Sequence, residues 1–370
     1  MTGFGLGLAE YPWELLAPYR ARAQERGPVC DLSIGTPVDP TPPVIREALA
    51  AAADWPGYPQ TAGTPELREA IADWYRAWHG VELDPHTQVI PSVGSKEFIA
   101  LLPLFAGLRQ RGLALAGPSV GYPTYEMGAE LAGVDYVRLD AEAVAGGASL
   151  AGIGLLWLNT PGNPSGAVLA ADLMRDAVAA ARAAGVVVAS DECYGLLNWA
   201  GPAPAPSVLS RAVVGDDHTG VLSVYSMSKE SNLAGYRAAF AAGDPQLIAD
   251  LTNSRKHAGL IVPGPVQAAM VAGLRDQDHV RAQKDAYRRR RAVLEPAVRA
   301  FGLRIDDSEA GLYLWSTAGE DCWTTIGRLA DLGIIAAPGI FYGEAGSQHV
   351  RIALTAPDDV IAAAAERLRG

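Results

Sequence analysis

The sequence predicts an α/β fold, in which a mostly parallel sheet is flanked by helices and joined to a smaller α+β domain. Two patterns predict it. Through the middle of the chain, short apolar runs alternate with helical patterns, the signature of parallel strands linked by crossover helices. Beyond about residue 263 this alternation gives way to a long helical stretch and scattered strand-like runs.

Taken in order, residues 1–45 read as an N-terminal arm that completes part of the small domain. Residues 46–263 read as the large domain, with candidate strands at 88–92, 112–117, 135–139, 154–159, 186–191, 221–226 and 238–242. Alanine-rich helices such as the one near 170–184 connect them. Residues 264–370 read as the small domain. There a long helix runs from Pro265 to near Ala300, broken around Asp276 to Asp278. Strands at 311–316, 334–337 and 349–354 and helices at about 322–332 and 358–369 follow.

The 370 residues are 49% hydrophobic and 19% charged, a balance that suits a well-buried globular protein. A net charge of −11 argues against nucleic acid or an anionic membrane surface as a partner. Arg288 to Arg291 form a basic run within a helix, expected to be solvated surface or a subunit contact. Cys30, Cys193 and Cys322 cannot all pair, and their spacing fits no metal site, which predicts a reduced protein. Cys193 is expected to be inert. No apolar stretch reaches spanning length, and no secretory leader pattern opens the chain, so a cytoplasmic location is expected. Gly3, Gly5 and Gly7 resemble a nucleotide-binding loop, but no strand precedes them.

The chemically informative residues fall where candidate strands end, the place where open α/β sheets bind ligands. Lys229 lies in SMSKESNLAGYRAAF (226–240), preceded by Ser226 and Ser228 and followed eight positions later by Arg237. A lysine amine forms an imine with an aldehyde, and a serine–arginine set holds a phosphate. Those are the requirements for anchoring pyridoxal 5′-phosphate. Gly94, Ser95 and Lys96 open a helix whose exposed N–H groups offer a further phosphate seat. Asp191 ends the apolar run of VVVASDECY (186–194) and can pair with the pyridine nitrogen, which keeps the ring able to absorb electrons.

Tyr194, and Asn163 in LNTPGNPSG (158–166), can hydrogen-bond the ring's phenolate oxygen and tune the proton affinity of the imine. Tyr122, in PSVGYPTYE (118–126), offers an aromatic face to a flat pyridine. Arg351 interrupts the apolar strand of HVRIALT (349–355), where a substrate carboxylate would give it a bidentate partner. Each residue alone has an ordinary reading as a basic loop, an N-cap, a turn, a packed tyrosine or a structural ion pair. Their joint occurrence in this order points to a cofactor site.

On these motifs the sequence resembles the class I/II aminotransferases of the aspartate aminotransferase fold, which is fold type I of the pyridoxal-phosphate enzymes. The resemblance covers nearly the whole chain. It matches Asn163, Asp191 with Tyr194, Lys229 with Arg237, and Arg351. It implies Lys229 as general base and then acid, with Asp191 and Tyr194 also at the catalytic centre. It further implies a homodimer with shared sites, Tyr58 (in GYPQTAGTPELREAI, 57–71) reaching the partner's phosphate. Gly35, Asn163 and Arg351 would meet the substrate.

The segments YPWELLAPYRARA, LSIGTPVDPTPPVIREAL, RKHAGLIVPGPVQAAM and EAGLYLWSTAGEDCW are similar to actinobacterial N-succinyl-diaminopimelate aminotransferases. That similarity implies glutamate and N-succinyl-2-amino-6-oxopimelate as substrates, in lysine and diaminopimelate biosynthesis. Arg255, Lys256 and Lys96 are the candidates for its distal carboxylate. The alternatives are an aminotransferase for aromatic or aliphatic amino acids, a β-lyase of the same fold, and a pyridoxal-phosphate-binding regulatory module.

Overall fold

The computed structural model describes Gly5, Gly7, Leu8 and residues 12–370; Gly3 of the glycine run lies outside the described residues. The strands are β1 (Cys30–Asp31), β2 (Val89–Val93), β3 (Ala114–Gly117), β4 (Tyr136–Arg138), β5 (Ile153–Asn159), β6 (Val187–Asp191) and β7 (Val221–Ser226). They continue with β8 (Ala238–Gly243), β9 (Arg304–Asp306), β10 (Tyr313–Thr317), β11 (Ile334–Ile335), β12 (Ala337–Pro338) and β13 (Val350–Ala353).

The seven strands expected between residues 88 and 242 all form, and they make one sheet in the order β2-β8-β7-β6-β5-β3-β4. Only β8 runs antiparallel to its neighbours β2 and β7; the other pairs are parallel. Both β2 and β7 oppose β8, so every strand but β8 shares one direction and one carboxyl edge. The apolar runs explain why these segments sit inside. β5, with the sequence IGLLWLN, is buried over its first six residues, and β7 and β8 are buried throughout. A strand covered by helices on both faces needs such a run.

Helix Pro65–His79 illustrates the cover. Thr64 caps it by accepting from the Leu67 amide at 3.2 Å, and Gly80 ends it in the left-handed conformation at φ 64°. Its apolar face (Leu67, Ile71, Trp74, Tyr75) packs in the same core as Ile45, Met270 and Leu274.

The long helical stretch breaks as expected, into Gly264–Arg275 and Asp278–Ala300. The first sends Ala269, Met270 and Leu274 into the core of the large sheet. The second sends Tyr287, Leu294 and Val298 into the core of the smaller unit. That unit holds an antiparallel sheet ordered β12-β13-β10-β9. Leu16, Ala23, Cys30 and Leu32 of the N-terminal segment share its core, and β1 pairs in parallel with β11.

The structure departs from expectation in several places. The strand expected at 334–337 divides at Ala336 into β11 and β12, which belong to different sheets. β1 and β9 were not anticipated; two or three residues are too few for any periodicity to register. Within the basic run, Arg290 is neither solvated nor free. It is 5% exposed and binds Asp39 and Asp358, because the helix turns that one position inward. Among the described residues, no helix is long and apolar enough to cross a membrane.

Candidate active site

A cavity of about 780 Å³ lies at the carboxyl edge of the large sheet, where residues of the smaller unit close over it. Lys229, Asp191, Asn163, Tyr194 and Arg351 all line it. Lys229 is presented by the turn that follows β7. There the Ser226 hydroxyl donates to Ser228 Oγ at 2.8 Å, and the Ser228 amide donates to Ser226 Oγ at 3.2 Å. Lys229 Nζ donates to the Gly35 carbonyl at 2.7 Å. Helix Asp278–Ala300 pins the turn from behind, since the Tyr287 hydroxyl donates to the Lys229 carbonyl at 3.1 Å.

The anion-binding elements meet at Gly94 and Arg237. Arg237 adopts a left-handed φ of 57°, a backbone state costing about 1–3 kcal/mol for a residue with a Cβ. Gly94 has φ +80°, which favours glycine, and a Cβ there would stand 2.1 Å from Arg237 Nη2 and push the guanidinium aside. Helix Ser95–Phe105 begins immediately afterwards without a side-chain cap, leaving its first N–H groups to face an anion. Ser95, Lys96, Ser226, Ser228 and Arg237 all line the cavity. This donor set fits a phosphate.

Asp191 closes β6 at 5% exposure. It accepts from the Tyr125 hydroxyl at 2.8 Å and from the Cys193 amide at 3.2 Å, and Tyr125 is itself stacked on Trp157. Burial pushes the Asp191 carboxyl above its usual range, against the hydrogen bonds from Cys193 and Tyr125 and the attraction of Lys229. A carboxylate so buried gains from a cationic N–H partner, which a protonated pyridine nitrogen supplies. Tyr122 also lines the cavity, set edge-on to Tyr125 with ring centroids 5.9 Å apart. These residues fit pyridoxal 5′-phosphate at both its charged ends.

Arg351 comes from β13 of the small sheet and is 4% exposed. It donates to Asn163 Oδ1 at 3.0 Å and to the Ser33 carbonyl at 2.8 Å. Its Cζ lies 3.9 Å from the centre of the Tyr313 ring and 4.9 Å from that of Tyr342. Among the described residues, the buried Nε has no hydrogen-bond partner. A buried guanidinium short of an acceptor is suited to a carboxylate entering the cavity. The same contact orients Asn163, whose amide oxygen faces Arg351 and whose NH₂ is left as the donor. The Tyr194 hydroxyl lies 3.1 Å from that of Tyr313. Gly35 leaves room for that second phenol, because a Cβ there would stand 2.0 Å from its oxygen.

Three candidates stand elsewhere. Tyr58 is fully exposed and outside this cavity. Arg255 is completely buried, holds both Glu97 carboxylate oxygens at 2.8 Å and does not line the cavity. Lys256 is exposed and does not line the cavity. Only Lys96 of the expected distal-carboxylate set lines it. The sequence reading missed Tyr125, which bonds Asp191, and the cavity-lining residues Tyr313, Tyr342, Trp13, Arg20 and Ile34. Tyr125 lies in PSVGYPTYE, and Trp13, Arg20, Ile34 and Tyr313 lie in the segments quoted above, but none of these patterns assigns them chemistry; the one usable signal was alternation along β10, which puts Tyr313 on the face that Arg351 shares.

Comparison with known proteins places this geometry. The profile described as "Aminotransferase class I and II" matches residues 27–368. The chain is 50% identical over 362 residues to the 4-dedimethylamino-4-oxo-anhydrotetracycline transaminase OxyQ of Streptomyces rimosus, covering 98% of this chain and 99% of that one. It is 49% identical to a "probable aminotransferase" of Mycobacterium tuberculosis, over 99% of this chain and 86% of that protein. Among solved structures, a "probable N-succinyldiaminopimelate aminotransferase" from Thermus thermophilus superposes with a TM-score of 0.84 at 29% identity, covering 97% of this chain and 99% of that one. The two relatives at about half identity carry other names than the N-succinyl-diaminopimelate enzymes that individual segments resembled. With the family profile spanning all but the chain's ends, the protein belongs to the class I and II aminotransferases, which act with pyridoxal 5′-phosphate.

Proposed function

We propose that the chain transfers an amino group between glutamate and N-succinyl-2-amino-6-oxopimelate by ping-pong transamination. The observation that carries this reading is Arg351, a guanidinium with an unmatched, buried Nε–H, which lines the same cavity as Lys229. A carboxylate held there brings the α-carbon of an amino acid toward a base. Lys229 Nζ takes the α-proton and later returns it, acting as general base and then acid. Asp191 would hold its charge against the pyridine nitrogen of a bound cofactor, Asn163 and Tyr194 would donate to its ring oxygen, and Ser226, Ser228, Arg237 and the helix start at Ser95 would hold its phosphate. When bound, pyridoxal phosphate supplies the electron sink and carries the amino group from one substrate to the next. A second copy of the chain would complete the site with Tyr58, which stands ready on the surface.

The elongated acceptor is supported by the cavity's volume and by the likeness to the Thermus thermophilus protein. A second reading has its own support. The relative at 50% identity is named for a polycyclic ketone, and Trp13, Ile34 and Tyr342 give the cavity aromatic and apolar walls. Spectra of the purified protein separate the two readings. Glutamate should convert the bound cofactor to its amino form, and N-succinyl-2-amino-6-oxopimelate should restore it. Restoration only by a 4-oxo-anhydrotetracycline would replace the first reading with the second. No conversion by glutamate would remove it as donor.

A further inference from the structure

The Tyr194 hydroxyl lies against a second phenol. Tyr313 enters from β10 of the small sheet and Tyr194 follows β6 of the large one, so their 3.1 Å contact joins the two units. We propose that Tyr313 is a positioning residue for transamination: its phenol oxygen accepts a hydrogen bond from Tyr194 and so sets how strongly Tyr194 donates into the cofactor's ring oxygen. This rests on the reading above that Tyr194 faces that oxygen.

The surroundings hold Tyr313 in place. Across the β10–β13 ladder, Arg351 pairs with Trp315 and Tyr313 pairs with Ala353. Arg351 and Tyr313 are therefore diagonal neighbours on one face of the sheet, within reach of each other's long side chains. That register puts the guanidinium over the ring at 3.9 Å. Gly35 supplies the space on the other side, and its carbonyl also receives Lys229 Nζ. The charged and titratable groups facing Tyr313 are thus Arg351 from β13, Lys229 from the turn after β7, and Tyr194 from the segment after β6.

These neighbours favour Tyr194 as the donor. Burial raises the Tyr313 pKa, but Arg351 and then Lys229 outweigh it and hold the phenol below its ordinary value. Tyr194 is pushed well above that value by burial and by Tyr313. Tyr194 keeps its proton and donates its O–H to the Tyr313 oxygen. A hydroxyl has one proton to give. While Tyr313 draws on it, Tyr194 donates less to the ring oxygen. Removing the Tyr313 hydroxyl strengthens that donation, favours the ionised ring oxygen, and lowers the pH at which the lysine-bound cofactor loses its proton. Removing the Tyr194 hydroxyl does the reverse.

The test is a spectral pH titration of the holoenzyme. In Tyr313→Phe the midpoint should fall by about half a unit to one unit, and in Tyr194→Phe it should rise by about as much. The double variant should match Tyr194→Phe alone, because Tyr313 acts only through Tyr194. An ultraviolet titration of the cofactor-free protein provides a second readout. The wild type should show a phenolate step below that of ordinary tyrosines, and Tyr313→Phe should lack it. A merely structural Tyr313 would change thermal stability and neither titration. An unmoved or rising midpoint in Tyr313→Phe, with a rise in Tyr194→Phe, overturns the proposal and leaves Tyr194 in its role. Unmoved midpoints in both variants overturn the proposal together with the reading beneath it. Absence of the low phenolate step from the wild type also overturns it.

Discussion

Replacing Arg351 by lysine keeps the positive charge and removes the fork. In the structure the guanidinium serves Asn163 and Ser33 while its Nε–H stays unmatched. A lysine ammonium is a point donor and cannot serve these acceptors together with both oxygens of a substrate carboxylate. The amino acid then loses two charge-assisted hydrogen bonds at about 1.5–2 kcal/mol each, or about 3–4 kcal/mol in all. That corresponds to a rise in KM of roughly 10²- to 10³-fold. The carboxylate is gripped in the ground state and the transition state alike, so kcat should fall much less than kcat/KM. Single-turnover absorbance measurements with a series of glutamate concentrations give both constants, and equilibrium dialysis gives the affinity for pyridoxal phosphate. Cofactor affinity should stay within about threefold, because no phosphate contact is touched. A KM within threefold of wild type would refute the assignment of Arg351 as the carboxylate grip.

Lys229→Ala should lower turnover by at least about 10⁴-fold, since the covalent anchor and the proton carrier go together. Amino transfer from glutamate measures it, and turnover within tenfold of wild type would sink that role. Arg255→Ala should destabilise the fold by about 3–5 kcal/mol, because it strands Glu97 and empties a fully buried site. Its spectral response to glutamate should be unchanged; a lost response would return Arg255 to the substrate site. Glu230 is 2% exposed, and burial raises its pKa from 4.5 to about 8. Its carboxyl stays protonated in the fold while the unfolded chain ionises, so its stabilising contribution is full below about pH 4.5 and declines as pH rises toward 8. Glu230→Gln should remove a stability loss on the order of 3–4 kcal/mol between about pH 5 and pH 8. Denaturation midpoints across that range test it; parallel profiles for wild type and variant would refute the neutral buried carboxyl.

Much of this molecule was legible along the chain. The large sheet could be read because its central strands, such as β5 and β7, are long apolar runs, and a strand between two helical layers must be apolar on both faces. Lys229, Asp191 and Asn163 could be read because their chemistry is local: each lies at or just beyond a strand end, where a short segment aims it. Gly94 was legible as part of a phosphate loop, but its reason, the Arg237 guanidinium lying against it, was not.

What stayed hidden depended on distance through the fold. Arg255 and Lys96 look equally able to bind an acid in sequence. One is consumed by Glu97 from a helix 158 residues away, and the other lines the cavity. Arg290 sits in a run of four arginines and is buried because Asp39 and Asp358 converge on that one position. Tyr313 became part of the site only when the β10–β13 register set it diagonal to Arg351 and the closing of the two units brought it to Tyr194. The sequence by itself determined which segments are strands and which residues carry the cofactor chemistry, because periodicity and strand-end placement are local properties. Only the tertiary structure decided which charges are matched within the protein and which phenol faces which, because those pairings are made between segments that meet in space.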